Sequence, residues 1–62
     1  MKSVLTIPDA FDYYEVVVVD GRITRITKFT NDAQIPREML FEELNPNAKE
    51  LVFWAVVESM KR

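Results

Sequence analysis

YYEVVVVDGRITRITKF, residues 13–29, decides the fold. An aromatic and β-branched run stands on each side of Asp20-Gly21, and such runs favour strands. A chain reversal between two strands needs residues that tolerate positive φ, which glycine does at no steric cost and aspartate does better than most. The stretch is therefore a β-hairpin. Of two candidate registers, a two-residue turn would pair Val19 with Arg22 and set Glu15 opposite Ile26. A glycine-bulge turn would instead pair Val18 with Arg22, setting Glu15 opposite Arg25, Asp12 opposite Lys28, Val17 opposite Ile23 and Phe11 opposite Phe29. The second matches charges and apolar groups better and is the one expected. It places Phe11, Tyr13, Val17, Val19, Ile23 and Phe29 on one face and Tyr14, Val16, Val18, Thr24 and Ile26 on the other. Helices can cover only one of these two apolar faces unless the second meets a partner.

Working outward, residues 3–7 alternate loosely and stop at Pro8, which suits a short edge strand. On the other side, Pro36 suits a first helical turn, and REMLFEEL after it reads as a helix up to Asn45-Pro46. Asn45 is the N-cap and Pro46 the first residue of a second helix over residues 46–61, with Lys61 and Arg62 favourably placed at its carboxyl end. The expected fold is α+β: a β-hairpin or three-stranded antiparallel sheet followed by two α-helices packed on it, a single small domain over residues 1–62.

The 62 residues include no cysteine and no histidine, which removes disulfides, thiolate zinc sites and the commonest general base. A chain of this length buries only about 60% of its unfolded surface, so help from another protein surface is expected. Eight basic and ten acidic residues give a net charge of −2, which points neither to bulk nucleic-acid attraction nor to an acidic mimic. The apolar part of MKSVLTI ends too soon for a signal peptide, and no stretch reaches the roughly 20 residues of a spanning helix. A complete cytoplasmic protein with no membrane contact is expected.

Catalysis finds no support: the serines and threonines have no adjacent base, and the carboxylates read as solvated. Asp9-x-x-Asp12-x-x-Glu15 would gather oxygens around a cation only on a helical turn, and its aromatic neighbours make it a strand entry. No catalytic residue, metal, cofactor or small-molecule substrate is expected.

The functional clue is LVFWAVV, residues 51–57, apolar without a break. At 100° per residue, Ala48, Val52, Phe53, Ala55, Val56, Ser59 and Met60 share one broad face suited to packing on the sheet. Glu50, Glu58 and Lys61 lie opposite, with Trp54 in their midst and Leu51 and Val57 at its edges. Tryptophan offers large area with few rotamers and is enriched at interface centres. Trp54 is either covered within the monomer, buried in a homodimer, or docked on a different, larger protein. The reading adopted is a non-enzymatic protein–protein interaction module. Trp54, Leu51 and Phe41 are its anchors, Val57 joins them at the interface, and Glu50, Glu58 and Lys61 form its charged rim. It would act as a stoichiometric modulator or inhibitor of the kind phages and mobile elements encode.

The alternative rests on RITRITK followed by PREML and ELVFWAVVESMKR. In order of elements this part resembles the ribbon-helix-helix family of DNA-binding proteins. The resemblance covers about two-thirds of the chain and implies a dimeric repressor that reads base edges with Arg22, Thr24, Arg25, Thr27 and Lys28. The linker over residues 30–35 is long for that family, Asn45-Pro46 cuts the first helix short, and the ribbon strand is tied into an intramolecular hairpin. The bland alternative for RITRITK is a half-exposed strand whose Arg25 and Lys28 pair with Glu15 and Asp12.

Overall fold

The computed structural model describes residues 1–30 and 35–61. Four strands, β1 (Lys2–Asp9), β2 (Asp12–Val19), β3 (Arg22–Phe29) and β4 (Arg37–Met39), form one antiparallel sheet in sequence order. A 3-10 turn (Phe41–Glu43) leads to a single helix, α1 (Pro46–Ser59). The class is α+β and the hairpin is present, as read from the sequence; the edge strand also forms and is longer than residues 3–7. The expected pair of helices is corrected to one.

Residues 37–43 are the source of that correction, becoming β4 and the 3-10 turn instead of a helix. β4 pairs Ile26 with Met39, Thr27 with Glu38 and Lys28 with Arg37. Without it, the outer backbone groups of β3 would lie bare at a sheet edge beside the buried Ile26, so pairing outweighs the local helical preference of REML. Leu40 stays extended, and its N–H donates to Glu43 Oε1 at 2.8 Å, closing the 3-10 turn. Residues 31–34, most of the expected linker, and Arg62 at the expected basic helix end lie outside the described residues.

The β2–β3 turn has two residues: Asp20 (φ 52) and Gly21 (φ 80) both take positive φ, and Val19 pairs with Arg22. The expected glycine-bulge turn, with Val18 opposite Arg22, is thereby corrected, and the two-residue register does not continue down the ladder either. After Val18 opposite Ile23 the ladder slips by one residue, so Val17 faces Arg25, Glu15 faces Thr27, Tyr14 faces Lys28 and Tyr13 faces Phe29. Thr24 is the extra residue of a bulge, its hydroxyl donating to the Val17 carbonyl at 3.2 Å. The bulge displaces two residues from their expected faces. Ile23 turns toward the helix and packs on the core, while Thr24 is exposed. Phe11 leaves the strand altogether: with Ala10 (φ 56) it makes the β1–β2 turn and is 85% exposed.

The core lies between one sheet face and α1. It comprises Ile7 of β1, Tyr14, Val16 and Val18 of β2, Ile26 of β3, Leu44, and Ala48 and Val52 of α1. Asn45 caps α1, its side-chain oxygen accepting from Ala48 N–H at 2.8 Å, with Pro46 at the first helical position. Both assignments match the sequence reading. Asn45→Ala should cost about 1 kcal/mol, seen as a lower urea midpoint with an unchanged slope; no change in midpoint would show the cap to be dispensable.

Among the described residues, Tyr14 is the one whose titration is displaced. Its hydroxyl is raised above the ordinary 10.0, first by burial and then by the Asp9 and Asp12 carboxylates. A raised folded-state value means that the folded chain holds this proton more tightly than the unfolded chain. That contribution is fully present below about pH 10 and is lost as pH climbs through the raised value. Thermal unfolding should fall in temperature above about pH 10 for the wild type. In Tyr14→Phe this part of the fall should vanish; identical alkaline profiles would rule Tyr14 out as its source.

Candidate protein-docking surface

α1 runs close over β1, at the edge of the sheet, and Asn47 Nδ2 lies 3.5 Å from Asp9 Oδ1 at its amino end. The seam beneath it is narrow. Ala48 and Val52 are fully buried, and Leu51, Ala55 and Val56 pack on the core from the flanks. Phe53 and Met60, expected on the packed face, are instead 54% and 60% exposed. Phe53 is the next residue after Val52, hence about 100° round the helix, beyond the reach of a seam this thin.

The unbroken apolar run thus divides three ways: Val52 beneath, Leu51, Ala55 and Val56 on the flanks, and Phe53, Trp54 and the half-buried Val57 on the outer side. Trp54 is 56% exposed. Its ring meets that of Phe53 edge to face, centroids 5.4 Å apart and planes at 79°. This is a favoured geometry for two aromatic rings, and it holds them as one raised apolar patch. Val57 is half-buried, and Glu50 and Glu58 are exposed. Lys61 Nζ stands 3.8 Å from Glu58 Oε1, both ends largely in water, so this pair marks a charged border and adds little stability. Phe41, in the 3-10 turn, is half-buried and packs on the core together with Leu51. The structure therefore carries Trp54, Leu51, Val57, Glu50 and Glu58 on α1, and Phe41 on the 3-10 turn that precedes it. Phe53 was missed as a surface residue, because a helical wheel alone does not say how wide the buried seam is.

The second face of the sheet is not covered by α1. Tyr13 stacks on Phe29 there, centroids 4.8 Å apart and planes within 5°, and Val4 is 54% exposed. Arg22, Arg25 and Thr27 of β3 belong to this face by strand alternation, whereas Lys28 belongs to the helix side and Thr24 to the bulge. The residues proposed to read DNA are thus divided between two faces. Arg25 lies 3.7 Å from Glu38 of β4, not on the expected Glu15, while Lys28 lies 3.8 Å from Asp12 as expected. β3 is an inner strand, paired with β2 on one side and with β4 on the other.

Among the described residues no helix is long and apolar enough to cross a membrane. Comparison of the chain with protein families, with curated proteins and with solved structures found no match.

Proposed function

We propose that the protein is a small non-enzymatic interaction module that docks on another protein through the outer surface of α1. The observation that carries the reading is the pair Phe53 and Trp54, both more than half exposed on α1. Leaving two large aromatic rings about half in water forgoes roughly half of the 150–250 Å² that each could bury, an expense that docking recovers. The surface has the layout of a docking patch, with aromatic anchors at the centre and Glu50, Glu58 and Lys61 at the border. A stoichiometric modulator or inhibitor of a larger protein fits this layout, since binding there needs no chemistry. The DNA-reading alternative has less in its favour, its five side chains being shared between two faces and a bulge.

The test compares partners retained from cell extract by the wild type, by Trp54→Ala and by Glu38→Ala, the last lying on β4 away from α1. A protein retained by the wild type and by Glu38→Ala and lost by Trp54→Ala supports docking through α1. Equal retention by all three variants overturns it.

A further inference from the structure

We infer that the free edge of β1 pairs with the β1 of a second copy, joining two four-stranded sheets into one. The inference is independent of docking through Trp54 and rests on backbone groups. The Asp20 N–H donates to the Met1 carbonyl at 3.0 Å, and the β1–β2 register is unbroken from Lys2 opposite Val19 to Asp9 opposite Asp12. In an antiparallel ladder hydrogen-bonded and free positions alternate, so the odd-numbered residues of β1 bond to β2 and the even-numbered ones aim N–H and C=O outward. Those are Lys2, Val4, Thr6 and Pro8. Among the described residues β1 pairs only with β2, so this outer row is unpartnered.

The two edges of the sheet are protected unequally. β4 has three residues, two of them charged, whereas β1 has eight in unbroken register, with Lys2 and Pro8 as its only guards. What satisfies a row of alternating donors and acceptors is another extended backbone. A second copy meets the need because β1 complements itself under a two-fold axis at Val4. That register sets Val4 against the partner's Val4 and Lys2 against the partner's Thr6. Every outward N–H it requires exists, no like charges oppose, and Pro8, which lacks an N–H, falls outside the paired stretch. Centring the axis on Leu5 would set Lys2 against the partner's Pro8 and lose a donor.

The flank of the edge agrees with this occupant. A groove between β1 and α1 is lined by Leu5, Ile7 and Ala55, with Glu58 and Lys61 at its mouth. An axis perpendicular to the sheet puts both helices on the same side of the joined sheet, their β1-facing flanks toward each other.

The test is sedimentation equilibrium up to about 1 mM, enough to populate even a millimolar dimer. Amide exchange is followed residue by residue on the same samples. Val4→Pro removes an outward N–H that the β1–β2 ladder does not use. Val4→Lys changes an exposed side chain and sets two like charges opposite each other across the axis. The wild type should dimerise with protection rising at the Lys2, Val4 and Thr6 amides alone within β1. Both variants should keep the wild-type circular dichroism and weaken the dimer by about tenfold or more. If Val4→Pro does not fold, Val4→Lys carries the result. A wild type that stays monomeric throughout overturns the inference, as do variants that dimerise like the wild type. A dimer abolished by Trp54→Ala and kept by Val4→Pro also overturns it, while placing self-association on α1.

Discussion

Tyr14→Ala should leave most of the chain unfolded at 25 °C. Tyr14 is 2% exposed and is among the largest fully buried side chains, standing on β2 between Ile7 of β1 and Lys28 of β3. Truncating a buried aromatic ring costs about 3–5 kcal/mol, from lost transfer energy and from the cavity left behind. A single core in a chain this short supplies about 3–5 kcal/mol in total. The cavity cannot be refilled cheaply, because its neighbours Val16 and Ile26 are held at fixed ladder positions and Val52 by the helix above. Far-ultraviolet circular dichroism against urea should show no native baseline for the alanine variant. Tyr14→Phe, which keeps the ring, should retain a cooperative transition. A cooperative transition for Tyr14→Ala, shifted by only a few degrees on heating, would mean that the core is held mainly by other groups.

Trp54→Ala should do the reverse: leave the fold nearly intact and remove docking. Trp54 is more than half exposed, and its ring meets that of Phe53, itself exposed, so truncation opens no internal cavity. Surface changes of this type alter stability by about 0.5 kcal/mol or less. If Trp54 is the anchor of a docked surface, its loss costs about 2 kcal/mol or more of affinity, roughly 30-fold in dissociation constant. Wild-type fluorescence should be red-shifted and open to quencher in dilute protein, moving blue as the partner is added. Unfolding of Trp54→Ala, or unchanged affinity for a partner that shifts the wild-type emission, would remove the support for docking through α1. The two tyrosine and tryptophan variants thus separate the core from the docking surface, stability falling in one and affinity in the other.

How these elements could be read differs from one to the next. Asp20-Gly21 and Asn45-Pro46 were legible because each is a matter of local chemistry: two positive φ angles in a tight reversal, and a side-chain oxygen with a ring-locked φ at a helix start. The face of α1 on which Trp54 stands was legible too, since two residues of rotation set it nearly opposite both Val52 and Val56, but whether anything in the chain covers that face was not. The bulge left a trace that was not used. Ile23 and Ile26 are three apart and cannot share a face of a regular strand, so a core holding both needs one extra residue between them, which is Thr24.

By itself, then, the sequence determined the β2–β3 reversal, the capped start of α1 and the polarity of the helix surface, because each depends on residues within a turn or two of one another. Only the tertiary structure decided that residues 37–39 pair as a strand, that the ladder slips at Thr24, and that Phe53 stays outside while Leu51 packs. Those outcomes depend on what lies across the fold: the bare edge of β3, the need to bring Ile23 onto the core, and the line along which α1 crosses β1. Backbone groups and apolar area are satisfied where the partner surface happens to be, and the chain's local preferences yield when that surface offers more.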